Sequence, residues 1–276
     1  MLKKLGVSRS GYRAWSKRVP SNTAKRRAAV KERIQSIHKD SKQIYGAPKI
    51  TKELLKEGEI IAERTVGKYM KELGIKAIWV KPWTITTRDS DFSNALTNIL
   101  NRDFNPEHPN AVWVSDMTYV WTAEGFVYLT SIMDLYSRKI ISWVLSKTMD
   151  VSCVVDAINM AKSRRSIANP LVMHSDRGSV YISKEYKKVT ANMSLSYSAK
   201  ASPWDNACIE AFHSLIKREW LHRYKITNFD HARQLVFEYI ETFYNTVRTH
   251  SYCGYMSPSD FEELYYKQIL AELSVA

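Results

Sequence analysis

Runs of β-branched, aromatic and other apolar residues predict five β-strands in the middle of the chain. The longest run, residues 111–121, is rich in valine and tryptophan and contains a single carboxylate. This composition is typical of a strand that is buried on at least one face. A tight turn at residues 135–138 joins the second strand to the third. The predicted strands are residues 111–121, 126–133, 139–146, 170–174 and 195–198.

Apolar residues at helical spacing predict helices between and after these strands. In residues 205–220, the apolar stripe runs through Cys208, Ala211 and Ile216, and Glu210 lies on the opposite, polar face. The predicted helices of this part are residues 150–165, 183–189, 205–220, 230–244 and 259–270. Three strands followed by alternating helices and strands predict a mixed α/β domain.

The first part of the chain has helical patterns. Residues 25–37 predict a basic helix, and residues 48–56 and 62–73 predict a helix–turn–helix pair that ends at Gly74. Residues 81–110 contain three prolines and little periodicity, which is typical of a linker. The predicted domains are a small all-helical region over residues 1–80, a linker over 81–110, a core over 111–225 and a helical extension over 226–276.

The net charge of +13 is concentrated in the first part of the chain. Residues 1–110 hold 23 Lys and Arg against 11 Asp and Glu, a net charge of +12, which leaves +1 for the rest. A basic segment on a nearly neutral body is typical of a region that binds a polyanion, although a merely basic surface is the alternative. The candidate phosphate-binding residues here are Lys25, Arg26, Arg27, Arg64 and Lys68.

The cysteines and the hydropathy indicate a cytoplasmic chain. The three cysteines are far apart and have no Cys-x-x-Cys spacing, so we expect a reducing compartment without disulfides or structural zinc. No apolar run of membrane-spanning length and no signal-peptide pattern occurs, so we expect no membrane partner.

Three acidic residues are candidates for a metal site. Asp116 lies inside the first predicted strand, where an isolated charge is costly unless it is paired. Asp176 follows the fourth strand, directly before Gly178, at the sheet edge where open α/β sheets bind ligands. Glu210 lies on a helix, with Lys217 two turns later on the same face. Three such carboxylates could hold two Mg²⁺ ions, but single acids of this kind more often only bind nearby backbone.

The residues around these acids resemble those of the DDE transposases of bacterial insertion sequences. The match is to the orfB-type product, whose catalytic core is similar to that of retroviral integrases. The segments that carry the resemblance to the core are WVSDMTY at 113–119, DLYSRKI at 134–140, HSDRGS at 174–179 and DNACIEAF at 205–212. Further similar segments are VSRSGYRAW at 7–15, IYG at 44–46, YN at 244–245, RTHS at 248–251 and SP at 257–258.

The resemblance implies a ribonuclease-H-like fold, in which strands one and four lie side by side and bring Asp116 to Asp176. It implies that Asp116, Asp176 and Glu210 are the catalytic and metal-binding residues, with two Mg²⁺ ions that Mn²⁺ can replace. The implied reaction frees a 3′-OH at the transposon end and joins it to a target strand, without a covalent enzyme intermediate. Lys217 and Arg177 would hold DNA beside this site.

The chain also departs from the family pattern. Between Asp176 and Glu210 there are 33 residues where the family usually has 35, and Val180 stands where glutamine is usual. The resemblance implies transposon-end and target DNA as partners, a homo-oligomer on DNA, and location at the bacterial nucleoid. It also implies fusion to, or association with, the product of an upstream reading frame that carries a DNA-binding helix-turn-helix.

Two alternative functions share parts of this pattern. A ribonuclease-H-like nuclease would have the same acids and metals but would only hydrolyse DNA. A catalytically silent DNA-binding remnant would keep the basic region without metal-dependent turnover. Asp134 is a fourth acid near the core, but its place at the start of a turn favours a capping role.

Overall fold

A computed structural model describes residues 6, 8–17, 19–78, 96–167, 170–199 and 202–275. The chain divides into two compact units, Met1–Ile78 and Trp79–Ala276. Among the described residues, no helix combines the length and the apolar character that a membrane crossing requires.

The first unit is helical, as the sequence predicts. Its helices are α1 (Arg9–Ser16), α2 (Asn22–Asp40), α3 (Ala47–Lys56) and α4 (Glu63–Glu72). Helices α2, α3 and α4 pack around fully buried side chains, among them Ile34, Ile50 and Val66. Gly58, in the turn between α3 and α4, has φ of +85°, a conformation that glycine adopts at little cost. The predicted helix–turn–helix pair is therefore present.

The second unit contains a mixed five-stranded sheet. Its strands are β1 (Val112–Thr122), β2 (Gly125–Asp134), β3 (Lys139–Ser146), β4 (Val172–Ser175) and β5 (Ser194–Tyr197). The spatial order is β3-β2-β1-β4-β5. The pairs β1–β2 and β2–β3 are antiparallel, whereas β4 is parallel to β1 and β5 is parallel to β4. This topology confirms the predicted ribonuclease-H-like sheet and its adjacent first and fourth strands.

Helices cover both faces of the sheet. They are α5 (Val151–Arg164), α6 (Lys184–Val189), α7 (Ala207–Glu219), α8 (Phe229–Tyr239) and α9 (Pro258–Val275). Trp113 belongs to the core cluster that α5 completes, whereas Asp116 contacts His213 of α7. Because side chains alternate between the two faces of a strand, residues 113 and 116 point to opposite faces. Helices α5 and α7 therefore pack on opposite sides of β1.

Residues 96–110 contact the rest of the second unit. Asn98 and Arg102 donate hydrogen bonds to the carboxylate of Asp205. The backbone N–H of Asn110 donates to Asp134 at 2.8 Å. These contacts involve the later part of the predicted linker, and its residues 81–95 lie outside the described residues. The predicted domain boundaries stay a prediction.

Asp134 caps the turn after β2, as the sequence predicts. Its buried carboxylate accepts hydrogen bonds from the backbone N–H groups of Asn110 and Tyr136. Burial raises the pKa of Asp134 to about 6, against the opposing effect of these donors. Asp134 lies opposite Trp113 in the β1–β2 ladder, three residues before the position of Asp116 on β1. Its role is to hold the turn and the chain entering β1.

Candidate active site

The parallel pairing of β1 and β4 brings Asp116 and Asp176 to neighbouring positions. The last paired residues of the two strands are Val114 and His174. Asp116 lies two residues further along β1, and Asp176 lies two residues after His174, directly after the end of β4. Since parallel strands run in the same direction, both carboxylates lie at the same edge of this strand pair. The pairing predicted from the fold resemblance is confirmed.

Asp176 is held by the turn that follows β4. The backbone N–H of Gly178 donates a hydrogen bond of 2.8 Å to Asp176 Oδ1. A Cβ atom on residue 178 would lie 2.9 Å from the same oxygen, a distance that real Cβ atoms essentially never show. Any larger residue at this position would therefore force the Asp176 carboxylate to shift.

Asp116 is held by a histidine that the sequence analysis did not identify. His213 Nδ1 lies 3.3 Å from Asp116 Oδ2, and His213 Nε2 lies 3.2 Å from Ser131 Oγ. Ser131 is the residue opposite Asp116 in the β1–β2 ladder. An ionised carboxylate only accepts hydrogen bonds, so Nδ1–H is the donor of the pair with Asp116. The buried imidazole thus fixes the orientation of Asp116.

Glu210 reaches this edge from helix α7. Asn206, directly before α7, donates a hydrogen bond of 3.1 Å to the backbone carbonyl of Ser115, the neighbour of Asp116. The helix then buries Ile209, Phe212 and Ile216 against the second unit. Glu210 lies on the exposed face. The start of the helix is therefore tied to the strand that carries Asp116.

The three carboxylates influence one another electrostatically. Burial, and then the charge of Asp116, raises the pKa of Asp176 to about 6. Burial, and then the charges of Asp116 and Asp176, raises the pKa of Glu210 to about 7. Like charges raise an acid's pKa in this way only at short range. The sheet edge therefore concentrates negative charge.

This charge concentration fits a divalent cation in its donor chemistry. Carboxylate oxygens are the ligands that Mg²⁺ prefers, and a dication would relieve their mutual repulsion. Among the residues that the structure describes, no three His, Cys, Asp or Glu side chains are gathered closely enough to hold a metal ion. The edge thus has the oxygen donors of a magnesium site without a preassembled coordination sphere.

Lys217 lies beside the carboxylates, on the next turns of α7. Its ammonium donates a hydrogen bond of 2.7 Å to Thr118 Oγ1 and lies 4.3 Å from the centroid of the Tyr119 ring. Burial lowers the pKa of Lys217, while the charge of Asp116 acts in the opposite direction. Helix α7 therefore places a cation against the strand that carries Asp116.

Several residues predicted to bind DNA have protein partners. Arg177 donates to the backbone carbonyls of Ser198 and Leu96, so its guanidinium braces the loop after β5. In the first unit, Arg26 forms an ion pair with Glu59, and Arg27 forms one of 2.6 Å with Glu72. Lys25, Arg64 and Lys68 are exposed. Nothing here tests DNA contact by any of these residues, and each stays a prediction.

The buried face of α7 differs from the predicted stripe. Ala211 is exposed and Cys208 is only half-buried, whereas His213 and Glu219 are buried. The predicted buried face is rotated by part of a turn from the observed one, because the prediction considered apolar residues alone. The sequence did contain a signal for His213. It follows Glu210 by three residues and so lies on a nearby part of the helix surface.

Models of two known families match the chain. A model described as an HTH-like domain matches residues 25–83. Models described as an integrase core domain match residues 106–203 and 191–258. With the mixed sheet and its paired carboxylates, these matches place the chain among the integrase-core polynucleotidyl transferases.

Individual proteins with similar sequences identify the family within this class. The chain is 36% identical over 270 residues to the insertion element IS600 uncharacterized 31 kDa protein of Shigella sonnei, covering 97% of this chain and 99% of that protein. It is 34% identical to the transposase InsF for insertion sequence IS3A of Escherichia coli, covering 95% and 92%. It is 36% identical to the transposase for insertion sequence element IS904 of Lactococcus lactis, covering 89% and 98%. The chain belongs to this family of insertion-sequence transposases.

Solved structures of integrase catalytic cores are also similar. That of HTLV-2 integrase, in complex with magnesium, has a TM-score of 0.41 and 18% identity, covering 52% of this chain and 92% of that one. That of BIV integrase has a TM-score of 0.43 and 15% identity, covering 59% and 99%.

Proposed function

We propose that the chain cuts and joins DNA strands at the ends of an insertion sequence, with Asp116, Asp176 and Glu210 as its catalytic carboxylates. The observation that carries this proposal is the β1–β4 pairing, which sets Asp116 and Asp176 side by side. The raised pKa of Glu210, with Asp116 and Asp176 among its causes, supports its membership of the same group. The family supports the reaction class.

The same three residues would hold two Mg²⁺ ions, and Mn²⁺ could replace them. When bound, such ions activate an oxygen nucleophile and offset charge on the phosphate. The chain keeps the ligands in place: His213 holds Asp116, the Gly178 N–H holds Asp176, and α7 presents Glu210.

The reaction consists of two displacements at phosphorus. Water attacks the phosphate at the transposon end, one phosphorus–oxygen bond forms, another breaks, and a 3′-OH leaves. That 3′-OH then attacks a phosphate of the target strand and displaces a second 3′-OH. The number of phosphodiester bonds is unchanged in the joining step, so no energy source or covalent enzyme intermediate is needed. Lys217, beside Asp116, would hold a phosphate adjacent to the one that reacts.

The first unit would hold the transposon end. Arg64 and Lys68 are one helical turn apart on α4 and exposed, so both can approach one DNA backbone. Lys25 at the start of α2 is exposed as well, whereas Arg26 and Arg27 would first have to leave their glutamate partners. We therefore rank Arg64, Lys68 and Lys25 above Arg26 and Arg27 as DNA contacts.

Further parts of the proposal concern assembly and location. We infer that the chain acts as a homo-oligomer that holds transposon ends and target DNA together. We also infer that it is fused to, or associates with, an upstream-frame DNA-binding product. A DNA substrate of this kind would place it at the bacterial nucleoid.

A gel assay on a duplex that ends in the terminal inverted repeat tests this function. The intact chain with Mg²⁺ should give both a nicked product and a joined product. Asp176→Asn should lose both, whereas Asp230→Asn, at an exposed position of α8, should lose neither. Nicking without joining would favour the nuclease alternative, and no Mg²⁺-dependent product would favour the silent remnant.

A further inference from the structure

Three exposed aromatic rings form a cluster on the hairpin of β1 and β2. Tyr119, Trp121 and Phe126 are 51%, 63% and 49% exposed. The Phe126 ring makes edge-to-face contacts with Tyr119 and Trp121, at centroid distances of 5.2 and 4.9 Å. We call these three residues the aromatic platform. Exposed apolar clusters of this kind usually mark an interaction surface.

The platform is exposed because β1 and β2 extend beyond the elements that cover one face of the sheet. Trp113, on the same face of β1, is fully buried in the cluster that α5 completes. The pairing with β4 ends at Val114, so the strand continues past its neighbour. The opposite face of the hairpin is covered, since Val120 and Thr122 are buried and the N–H of Ala123 donates to the carbonyl of Ile226.

The platform lies on the face of β1 opposite to Asp116, and Lys217 of α7 contacts the strand between them. The ammonium of Lys217 donates to Thr118 and lies over the Tyr119 ring. The negative charge of Asp116 acts to raise the pKa of this ammonium. From Tyr119 to Trp121 the strand advances two residues, about 7 Å at about 3.4 Å per residue. Stacked nucleotides advance about 3.4 Å each along a strand, so the platform matches about two of them.

The chemistry of the platform favours unpaired nucleobases. A paired duplex presents its phosphates and groove edges, so an aromatic ring can stack on a base only where the base is unpaired. A second copy of the chain is a poorer match, because half of three aromatic side chains offers about 300 Å². A stable protein interface needs about 800 Å² on each partner.

We propose that Tyr119, Phe126 and Trp121 stack the unpaired bases of a DNA end whose backbone is held by Lys217. This inference rests on the proposed function for the presence of a DNA end at the carboxylate edge. It adds that the end is bound with its terminal bases separated. Lys217 supplies the charge contact, and the rings supply a contact that salt does not screen.

A binding assay without divalent ions tests the platform separately from the chemistry. The full chain is titrated onto a blunt duplex and onto the same duplex with an unpaired 3′ end that contains 2-aminopurine. Trp121→Ala and Phe126→Ala should each weaken binding of the unpaired end about fivefold or more. Both should reduce the quenching of 2-aminopurine and leave binding of the blunt duplex unchanged. Trp121→Phe keeps a ring and should retain most of the affinity.

The salt dependence separates stacking from charge. Alanine variants of the platform should keep the slope of log affinity against log salt, because they remove no phosphate contact. Lys217→Gln should reduce that slope by about 1. The control Tyr266→Ala, which removes an aromatic residue of α9 that is 43% exposed, should change neither property.

Three results would overturn the proposed role of the platform. The first is an equal loss of affinity for the blunt duplex and for the unpaired end in the alanine variants. The others are unchanged 2-aminopurine quenching in folded alanine variants, and a change of oligomeric state in Trp121→Ala without DNA. The last result would make the surface a contact between chains. Loss of strand joining in a chain that still binds the unpaired end through these rings would instead contradict the proposed function alone.

Discussion

His213 Nδ1 lies 3.3 Å from Asp116 Oδ2, and the other ring nitrogen lies 3.2 Å from Ser131 Oγ. The order serine–histidine–aspartate has the appearance of a nucleophile system, but Ser131 is fully buried and cannot reach a substrate. The imidazole instead contacts Ser131 on β2 and Asp116 on β1, so it holds the carboxylate in a fixed position relative to β2. Partners of this kind fix the orientation of metal-binding carboxylates.

Replacement of His213 should weaken metal binding. His213→Leu removes the donor to Asp116, and loss of such a partner typically reduces metal affinity 10- to 100-fold. Calorimetric titration of Mn²⁺ into the folded variant measures this change. His231→Leu, on α8 away from the carboxylates, serves as the control and should titrate like the unmodified chain. Equal Mn²⁺ affinity in both variants would rule out the orienting role of His213.

Gly178→Ala should displace Asp176. The added Cβ would lie 2.9 Å from Asp176 Oδ1, so the carboxylate must move. We expect a loss of Mn²⁺ affinity and of strand cleavage, with little change in the thermal midpoint. Gly67→Ala is the matched control. Gly67 lies in α4, and its added Cβ would lie 3.7 Å from the side chain of Ala47, which is an ordinary van der Waals distance. If Gly178→Ala binds Mn²⁺ normally, the close contact has no functional importance.

The stability of the metal-free chain should fall as pH rises. The pKa values of Asp176 and Glu210 are raised to about 6 and about 7, above unfolded values of about 4. The folded chain therefore binds more protons than the unfolded chain between these limits, and its stability decreases with pH across this window. Thermal midpoints measured in a chelator between about pH 4 and pH 7 should show this contribution, against an opposing one from His174, whose pKa burial lowers to about 4.

Two variants assign the decline to its sources. The double replacement Asp176→Asn with Glu210→Gln should flatten most of it. Asp134, with a pKa raised to about 6 by burial, should account for a remainder that Asp134→Asn removes. A double variant whose stability declines with pH as steeply as that of the unmodified chain would contradict the raised pKa values of Asp176 and Glu210.

The end of α7 is fixed by a buried ion pair. Arg248 donates to both oxygens of Glu219 at 2.7 and 2.6 Å, and Tyr239 donates to Glu219 at 2.7 Å. Arg248→Met would leave a buried carboxylate without its cation, which costs about 3–5 kcal/mol of unfolding free energy. Urea unfolding measures this loss.

A matched exposed pair provides the comparison. Arg233→Met breaks the pair between Arg233 and Asp230, both largely exposed, and should cost less than about 1 kcal/mol. Adding Glu219→Gln to Arg248→Met should recover part of the stability, because the unpaired charge is then gone. Similar losses for the exposed and buried pairs would show that the Glu219–Arg248 pair does not anchor the helix.

The sequence predicts the strands well because their apolar runs are separated by clear turn residues. The runs at 126–133 and 139–146 correspond to β2 and β3 within one or two residues. The neighbouring positions of Asp116 and Asp176 did not follow from these patterns. They followed from the resemblance to a known fold, since residue spacing contains no information on which strands pair.

The contacts of polar residues were the part that sequence patterns could not supply. His213 and Glu219 are buried because each has a partner far away in the chain, Asp116 and Arg248 respectively. Likewise, Arg177 has the sequence features of a DNA contact, but in the structure it binds two backbone carbonyls. A residue's own type cannot reveal such long-range partners.

The most direct test is diffraction at the manganese absorption edge from a crystal of the chain soaked in Mn²⁺. We expect two anomalous peaks that share Asp116, Asp176 and Glu210 as ligands, and their loss in Asp176→Asn crystals. Manganese peaks elsewhere, with none at these three side chains in the free or DNA-bound form, would contradict the assignment of these residues as metal ligands.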